Sequence, residues 1–502
     1  MTSTAIAQGS PPRAFIWLVI GLTLGVLAIR LALNLTHPGA LGVDGGAYIL
    51  SALRLMGEPV PSGLDFQRAI LGPGYLLTPF LSLFGLDAGY KIWEAIFSTF
   101  PIIPAAALLA YRMLPRRLAL IATIFVALNP WNWEMVITGA LPLIGIALIF
   151  LALWGLINIT TGGGTKWDKA AVAGGIALIP YINQTSTGLA AVSIPVFVGS
   201  MCLFCQSWRP LRYALPWLTL GALLALPAIL LFYGDVVFGS TRMSFPGPKI
   251  FVSPGYRASW LVFFYALPIV FSTLKLKQDP ALKSLALVVF AHSALSLFNS
   301  YDEAIINIFF RSQHLATPLL MILGTWYVSR EVAHIKNRVA VVLGVLAFAI
   351  VLAGGSAYTY QRQAYYSDML TPDMLEAMEL IPNHQSETII TTNFMSGLWV
   401  AAYEQTPTAW LFAANPPEYW QAQYRETQCV LGWRTDCDPL TAARDINARW
   451  VLVDMRFPHI TDQEPPLWGA PEDTWSPTLI APWLDPLYAK GTVRLWRIKW
   501  DA

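Results

Sequence analysis

The carboxylate in the most unusual setting is Asp44, in Gly42-Val-Asp44-Gly-Gly-Ala-Tyr48. An aspartate between glycines has two chemical readings. Its oxygens accept backbone N–H bonds at the start of a helix, where glycine eases the turn. Alternatively, the turn holds the carboxylate as a general base. The two roles are compatible. Further along the same segment stand Asp65 and Arg68. Glu134 closes Trp131-Asn-Trp-Glu134, whose tryptophans read most simply as an interfacial aromatic belt. His314 follows Arg311 by three residues, which puts both on one helical face. A structural hydrogen bond is the plain reading of that histidine. Asp302 and Glu303 are adjacent and read as a solvated cap. The four cysteines fall into two close pairs, Cys202/Cys205 and Cys429/Cys437. The first is a CxxC with no second such pair or His cluster, and reads as apolar filler. No spacing specifies a metal site. No basic run or Gly-rich loop points to nucleic acid or nucleotide.

The chain that must position these groups is 55% apolar and only 12% charged over 502 residues, against roughly 25% charged in soluble domains. The deficit is uneven. Residues 1–358 hold 22 Lys and Arg with 12 Asp and Glu, whereas residues 359–502 hold 10 and 18. A lipid-solvated part is followed by a water-solvated part. A lipid-crossing helix needs about 20 apolar residues, because hydrocarbon leaves an exposed backbone unsatisfied. Such runs predict about eleven spans, at 14–35, 88–112, 118–130, 139–158, 169–183, 186–204, 212–233, 259–274, 284–300, 313–328 and 339–358. The first follows Arg13 but is too long for a cleaved signal peptide. One alternating set of loops collects the basic residues, from Arg13 through Arg116, Arg117, Lys166, Arg209 and Lys275 to Arg338. The positive-inside rule places that set in the cytoplasm. An odd number of spans then puts residues 359–502 outside, where an oxidising compartment would let Cys429 and Cys437 pair.

Two outer regions are elaborate. Residues 37–88 form a long first outer loop, in which 49–56 and 76–84 read as interfacial helices holding a polar turn against the bilayer. Residues 359–502 alternate helix and strand signals. Thr371-Pro-Asp373 opens a helix to about 380, 387–392 and 450–454 read as strands, 396–404 as a helix, and 487–498 as a hairpin turning at Lys490-Gly491. The fold class is therefore a polytopic α-helical membrane protein with a C-terminal α/β extracytoplasmic domain, divided at 358/359. Half of the 20 tryptophans lie in that domain; they read as core and packing surface, with sugar stacking as the other use.

The order of motifs resembles the GT-C superfamily of membrane glycosyltransferases, closest to the branch of the dolichyl-phosphate-mannose–protein mannosyltransferases and the aminoarabinose transferases. The first outer loop has an acid and then an aromatic, here Asp44 and Tyr48. A Pro-aromatic-apolar stretch precedes the second span, here Pro73-Gly-Tyr75-Leu-Leu. The third span ends in Ala127-Leu-Asn-Pro130 and the fourth begins near Thr138-Gly-Ala-Leu-Pro142. A late outer Arg, Arg311, begins a span with Pro318 near its middle. The likeness runs through the whole membrane part. The usual family form has a second acid after the first, whereas Gly45 and Gly46 follow here.

That resemblance implies a multi-pass protein of the plasma or inner membrane that moves a sugar from a polyprenyl phosphate donor to a glycan, lipid or protein acceptor. Membrane lipids and no nucleic acid are its other expected partners. Asp44 would be the base for the acceptor. The leaving phosphate needs cations on the outer face. Arg30, Arg54, Arg68, Lys91, Arg242, Lys249, Arg257 and Arg311 are there, and Arg68, Arg257 and Arg311 are favoured. Tyr48, Asp65, Glu134 and His314 are candidate supports. Family members differ in using a divalent ion, which leaves that cofactor open. The competing reading is a transporter or flippase for a lipid or small solute. Transporters place ionisable sites and broken helices at the midplane and show repeated halves. Here charge gathers at the outer interface and no repeat stands out.

Overall fold

In a computed structural model of the chain, the described residues are 11–500 apart from 43–44, 59, 61–70, 134–140, 239–254, 277–278, 299–305, 336, 383–386, 392–393, 406, 411–424, 433, 435 and 455–480. They form two compact units. One comprises 1–34, 93–241 and 251–364, the other 35–92, 242–250 and 365–502.

The first unit is a helical bundle, and each expected span coincides with helix among the described residues, the second with two helices. In chain order the helices of the membrane part are α1 (Arg13–Thr36), α2 (Gly45–Met56), α3 (Leu71–Phe84), α4 (Leu86–Thr99), α5 (Ile102–Met113), α6 (Arg116–Ala127), α7 (Leu141–Thr160), α8 (Lys166–Ile182), α9 (Gln184–Phe204), α10 (Arg209–Phe238), α11 (Gly255–Leu274), α12 (Pro280–Phe298), α13 (Ile306–Glu331) and α14 (Arg338–Ser367). Six helical stretches of the described residues are long and apolar enough to cross a membrane: Arg13–Thr36, Leu86–Met113, Leu141–Thr160, Thr185–Phe204, Arg209–Leu230 and Arg338–Gln361. The second expected span is split into α4 and α5. Pro101 sits at the break, and a residue without an N–H cannot continue the helical ladder.

Local chemistry sets the joints. Thr165 and Asp168 form a capping box at the start of α8, and Asp168 Oδ1 also accepts from Asn158 Nδ2 at 2.6 Å. One aspartate thus ends α7 and starts α8. Asn183 closes α8 and caps α9 by accepting from Ser186 N at 3.0 Å. Inside the bundle, α8 packs between α7 and α10, and α12 contacts α9, α11 and α13. A polar seam lies within it: His292 bonds Ser193 Oγ at 2.8 Å and Ser312 Oγ at 3.3 Å. On α14, Val339, Val342, Leu346 and Ile350 are exposed, a face that only hydrocarbon solvates without cost.

Arg30, halfway along the expected outer end of α1, is buried. Its guanidinium donates to Ser98 O at 2.5 Å, Thr99 Oγ1 at 3.1 Å and Asn132 O at 3.4 Å, and it lies 4.6 Å from the Trp133 ring. Trp133 is itself buried, with Nε1 donating to Ala127 O at 3.2 Å. The aromatic-belt reading therefore fails for Trp133: its N–H and its face are consumed inside the protein. Asn132 Nδ2 bonds Val126 O at 2.7 Å, and Ser356 of α14 bonds Leu128 O at 2.6 Å, so the turn after α6 is pinned from several sides.

In the second unit, β1 (Ala40–Leu41) pairs antiparallel with β2 (Asp368–Leu370). A five-stranded mixed sheet follows, built from β3 (Thr388–Thr391), β4 (Thr408–Trp410), β5 (Ala448–Asp454), β6 (Leu484–Lys490) and β7 (Val493–Ile498) in the order β4-β3-β5-β7-β6. β3 is parallel to both β4 and β5, and β7 is antiparallel to β5 and β6. The expected hairpin is present, with Gly491 at φ +52°. Thr371 caps α15 (Pro372–Met378) by accepting from Met374 N. α16 (Phe394–Glu404) joins β3 to β4, and α17 (Pro439–Asp445) precedes β5. Cys429 and Cys437 form a disulfide, and Cys429 belongs to the apolar cluster under β5 and β7. Cys202 and Cys205 are free thiols. The sequence sets residues 37–88 with the membrane part, whereas by contacts they group with 365–502.

Replacing Arg30 with alanine leaves the Ser98 and Asn132 carbonyls without their donor and opens a cavity. The expected loss is about 3 kcal/mol, read as a lower thermal unfolding midpoint of the purified protein in detergent.

Candidate active site

Gly42 and Gly45, the described residues on either side of positions 43–44, are bonded to each other. Gly45 N donates to Gly42 O at 3.1 Å, and Gly42 has φ +112°, open to glycine and strained for other residues. The same Gly42 carbonyl accepts from Trp399 Nε1 of α16 at 2.8 Å. α2 begins at Gly45 and lies on α16. A Cβ at Gly46 would fall 2.5 Å from Trp399 N and 2.6 Å from Leu398 C; one at Gly45 would fall 2.7 Å from Tyr90 Cζ and Oη. Real Cβ atoms do not approach backbone so closely. The two glycines are therefore required by the approach of α2 to α16, and the family's second acid has no room at position 45.

Around Gly42 and Gly45 the unit is tightly bonded. Tyr90 and Trp399, both buried, meet edge to face at 5.1 Å and 89°. Lys91 Nζ donates to His37 O and to Asp87 Oδ2, each at 2.9 Å. Tyr403 Oη donates to Asp87 Oδ1 at 3.2 Å. Burial, and then the Asp87 carboxylate beside it, push the Tyr403 hydroxyl well above the usual phenol range. Lys91 is thus committed to Asp87 and a backbone carbonyl, as Arg30 is in the bundle.

Of the residues named from sequence, Asp44, Asp65, Arg68 and Glu134 lie outside the described residues. Arg257 is on α11 and Arg311 on α13, and only their backbone is described. Tyr48 is buried on α2. His314 is buried on α13 of the bundle, with its ring 5.5 Å from that of Trp131 at 81°. Tyr90 and Trp399 were not anticipated. Trp399 is 357 residues from its partner Gly42, and no local pattern signals such a pairing. Among the described residues no three His, Cys, Asp or Glu side chains gather as a metal site requires.

The fold is that of the GT-C membrane glycosyltransferases. The chain is similar to ArnT from Cupriavidus metallidurans bound to undecaprenyl phosphate, with a TM-score of 0.56 at 12% identity over 97% of this chain and 98% of that one. The arabinofuranosyltransferase AftD from mycobacteria gives 0.56 at 14% identity, covering 99% of this chain and 40% of AftD. The apo oligosaccharyltransferase of Archaeoglobus fulgidus gives 0.51 at 13%, over 88% and 70%. No protein-family model matches the sequence. No curated protein matches it by sequence either.

Gly46→Ala forces the new methyl against the α16 backbone, which cannot yield as a side chain would. The expected cost is about 2 kcal/mol, seen as a lower unfolding midpoint and faster proteolysis within residues 45–56.

Proposed function

We propose that this chain is a glycosyltransferase that moves a sugar from a polyprenyl phosphate donor to a hydroxyl acceptor at the outer face of the plasma or inner membrane. The observation that supports it most is the whole-length likeness to ArnT, which is solved with undecaprenyl phosphate bound. We assign the chain eleven spans within 1–358, with residues 359–502 as an extracytoplasmic α/β domain. The Cys429–Cys437 disulfide supports that side, since such bonds persist in oxidising compartments.

In this reading Asp44 takes the proton of the acceptor hydroxyl. The hydroxyl oxygen attacks the anomeric carbon, the bond from that carbon to the phosphate oxygen breaks, and polyprenyl phosphate leaves with both electrons. Arg68, Arg257 and Arg311 hold the charge that grows on the phosphate. Tyr48, Asp65, Glu134 and His314 are assigned supporting places. The fixed flanks of position 44 support the assignment of the base, because proton abstraction needs a carboxylate held in place.

The test uses purified protein in detergent with undecaprenyl phosphate carrying radiolabelled mannose, glucose, galactose or arabinose. Release of sugar to water or to added cell-envelope acceptor is measured. One donor is expected to turn over, and Asp44→Asn should lower the rate by about a hundredfold or more with normal expression. Turnover of none of the four, or full activity in Asp44→Asn, would sink the reading. Arg311→Ala should weaken binding of undecaprenyl phosphate by about tenfold, measured by tryptophan quenching; unchanged affinity removes Arg311 from the phosphate.

A further inference from the structure

The bundle carries a charged notch that the proposed transfer leaves unused. It lies where the starts of α8 and α10 meet. The two helices run side by side in one direction, as three contacts in step require. The Tyr213 ring lies against the α7–α8 turn, where a Cβ at Gly162 would fall 3.3 Å from it. Lys169 Nζ lies 5.3 Å from the centre of the Trp217 ring. A Cβ at Gly221 would fall 2.9 Å from Ala173 O and from Ile176 Cβ. Tyr213, Trp217 and Gly221 are spaced by four and share one face of α10. This register brings two pairs of cations to one place: Lys166 and Lys169 on α8, Arg209 and Arg212 on α10. Each pair is spaced by three, so each shares a helical face. The only carboxylate between residues 159 and 234 is Asp168, which is buried in its capping box and bonded to Asn158. Among the described residues none of the four cations enters an ion pair.

The surroundings of the notch are those of a membrane boundary. Arg209–Leu230 is long and apolar enough to cross a membrane, and Leu215, Leu223 and Leu226 along it are exposed. Trp167 and Trp208, beside the cations, are exposed as well, and indoles of that kind sit at headgroup depth. We propose that the notch between the starts of α8 and α10 binds an anionic phospholipid of the surrounding leaflet, one whose headgroup carries two phosphodiesters, as cardiolipin does. Each cation pair takes one phosphate, and the acyl chains follow the exposed leucines of α10. The axes of packed helices are about 8–10 Å apart, which separates the two pairs enough for two phosphates and too much for one. The Trp167 and Trp217 rings, 5.5 and 5.3 Å from the Lys166 and Lys169 ammonium groups, hold those charges in place without neutralising them. A zwitterionic headgroup would bring its own cation against four others. This lipid is a bound partner and not a donor, so the proposal stands apart from the transferase reading.

The experiment titrates the delipidated, purified chain in detergent with cardiolipin or phosphatidylcholine and reads bound lipid by native mass spectrometry. Cardiolipin is expected to bind at concentrations where phosphatidylcholine does not. Lys166→Gln combined with Lys169→Gln should weaken cardiolipin binding by about tenfold or more, and so should Arg209→Gln combined with Arg212→Gln. The control combines Arg330→Gln with Arg338→Gln. It removes two exposed cations of the same set of basic loops, one of them also set over an indole, Trp326. Its affinity should stay within about twofold of wild type. Cardiolipin should raise the thermal unfolding midpoint of the wild type and of the control, and not that of the other two variants. Without lipid, all three variants should unfold within about 3 °C of the wild type, because the replaced groups lie at the surface. That arm separates lost binding from lost folding. Equal affinity for the two lipids would overturn the proposal, as would equal losses in the control or no loss in either notch variant. Displacement of cardiolipin by millimolar inorganic phosphate would overturn it too, because the notch would then be a site for a soluble anion.

Discussion

Everything around the candidate site depends on the approach of α2 to α16. Two helices packed through ordinary side chains keep their axes about 8–10 Å apart. At Gly45 and Gly46 there is no side chain, and α2 comes down onto the backbone of Leu398 and Trp399 and the rings of Trp399 and Tyr90. That contact brings the Gly42 carbonyl within reach of the Trp399 indole. In the same unit the short strands β1 and β2 pair, and residues 35–92 group with 365–502. A methyl group at either glycine would act on all of these at once.

The bundle follows a different logic. Its helices are apolar nearly all round, so hydrophobicity in hydrocarbon does not choose their partners. Among the described residues, the discriminating contacts include the Asp168–Asn158 bond and capping box between α7 and α8, the His292–Ser193–Ser312 seam, and the Arg30 node that ties α1 to the α4–α5 break and the turn after α6. Each replaces a hydration shell that the chain loses in lipid. Arg30 shows why a cation near the end of an apolar helix is not by itself a ligand for phosphate. Both of its terminal nitrogens already donate within the protein, and Lys91 Nζ already donates to the His37 carbonyl and Asp87.

The functional reading draws on the two units differently. The bundle supplies the architecture shared with GT-C transferases and the α11 and α13 backbones that carry Arg257 and Arg311. The second unit supplies the fixed flanks of position 44. The catalytic assignment joins a fold-level likeness to a local restraint, and the local restraint is specific to this chain.

Periodicity and composition alone determined a great deal here. The expected spans fall on helical segments, six of them in helical stretches long and apolar enough to cross a membrane, because a segment in lipid has no other way to satisfy its backbone. The Thr371-Pro-Asp373 cap, the Lys490-Gly491 turn and the β-branched runs of β3 and β5 were legible, because caps, turns and strand preference act over a few residues. The same signal was present but unread at Asp438-Pro439, which opens α17. Tertiary structure alone decided what the glycines after Asp44 are for, that Trp133 and Arg30 face inward, and that Trp399 reaches Gly42 across 357 residues. Those contacts join segments with no shared period or motif. They exist only when the chain's close packing leaves one place for each ring and each hydrogen-bond donor.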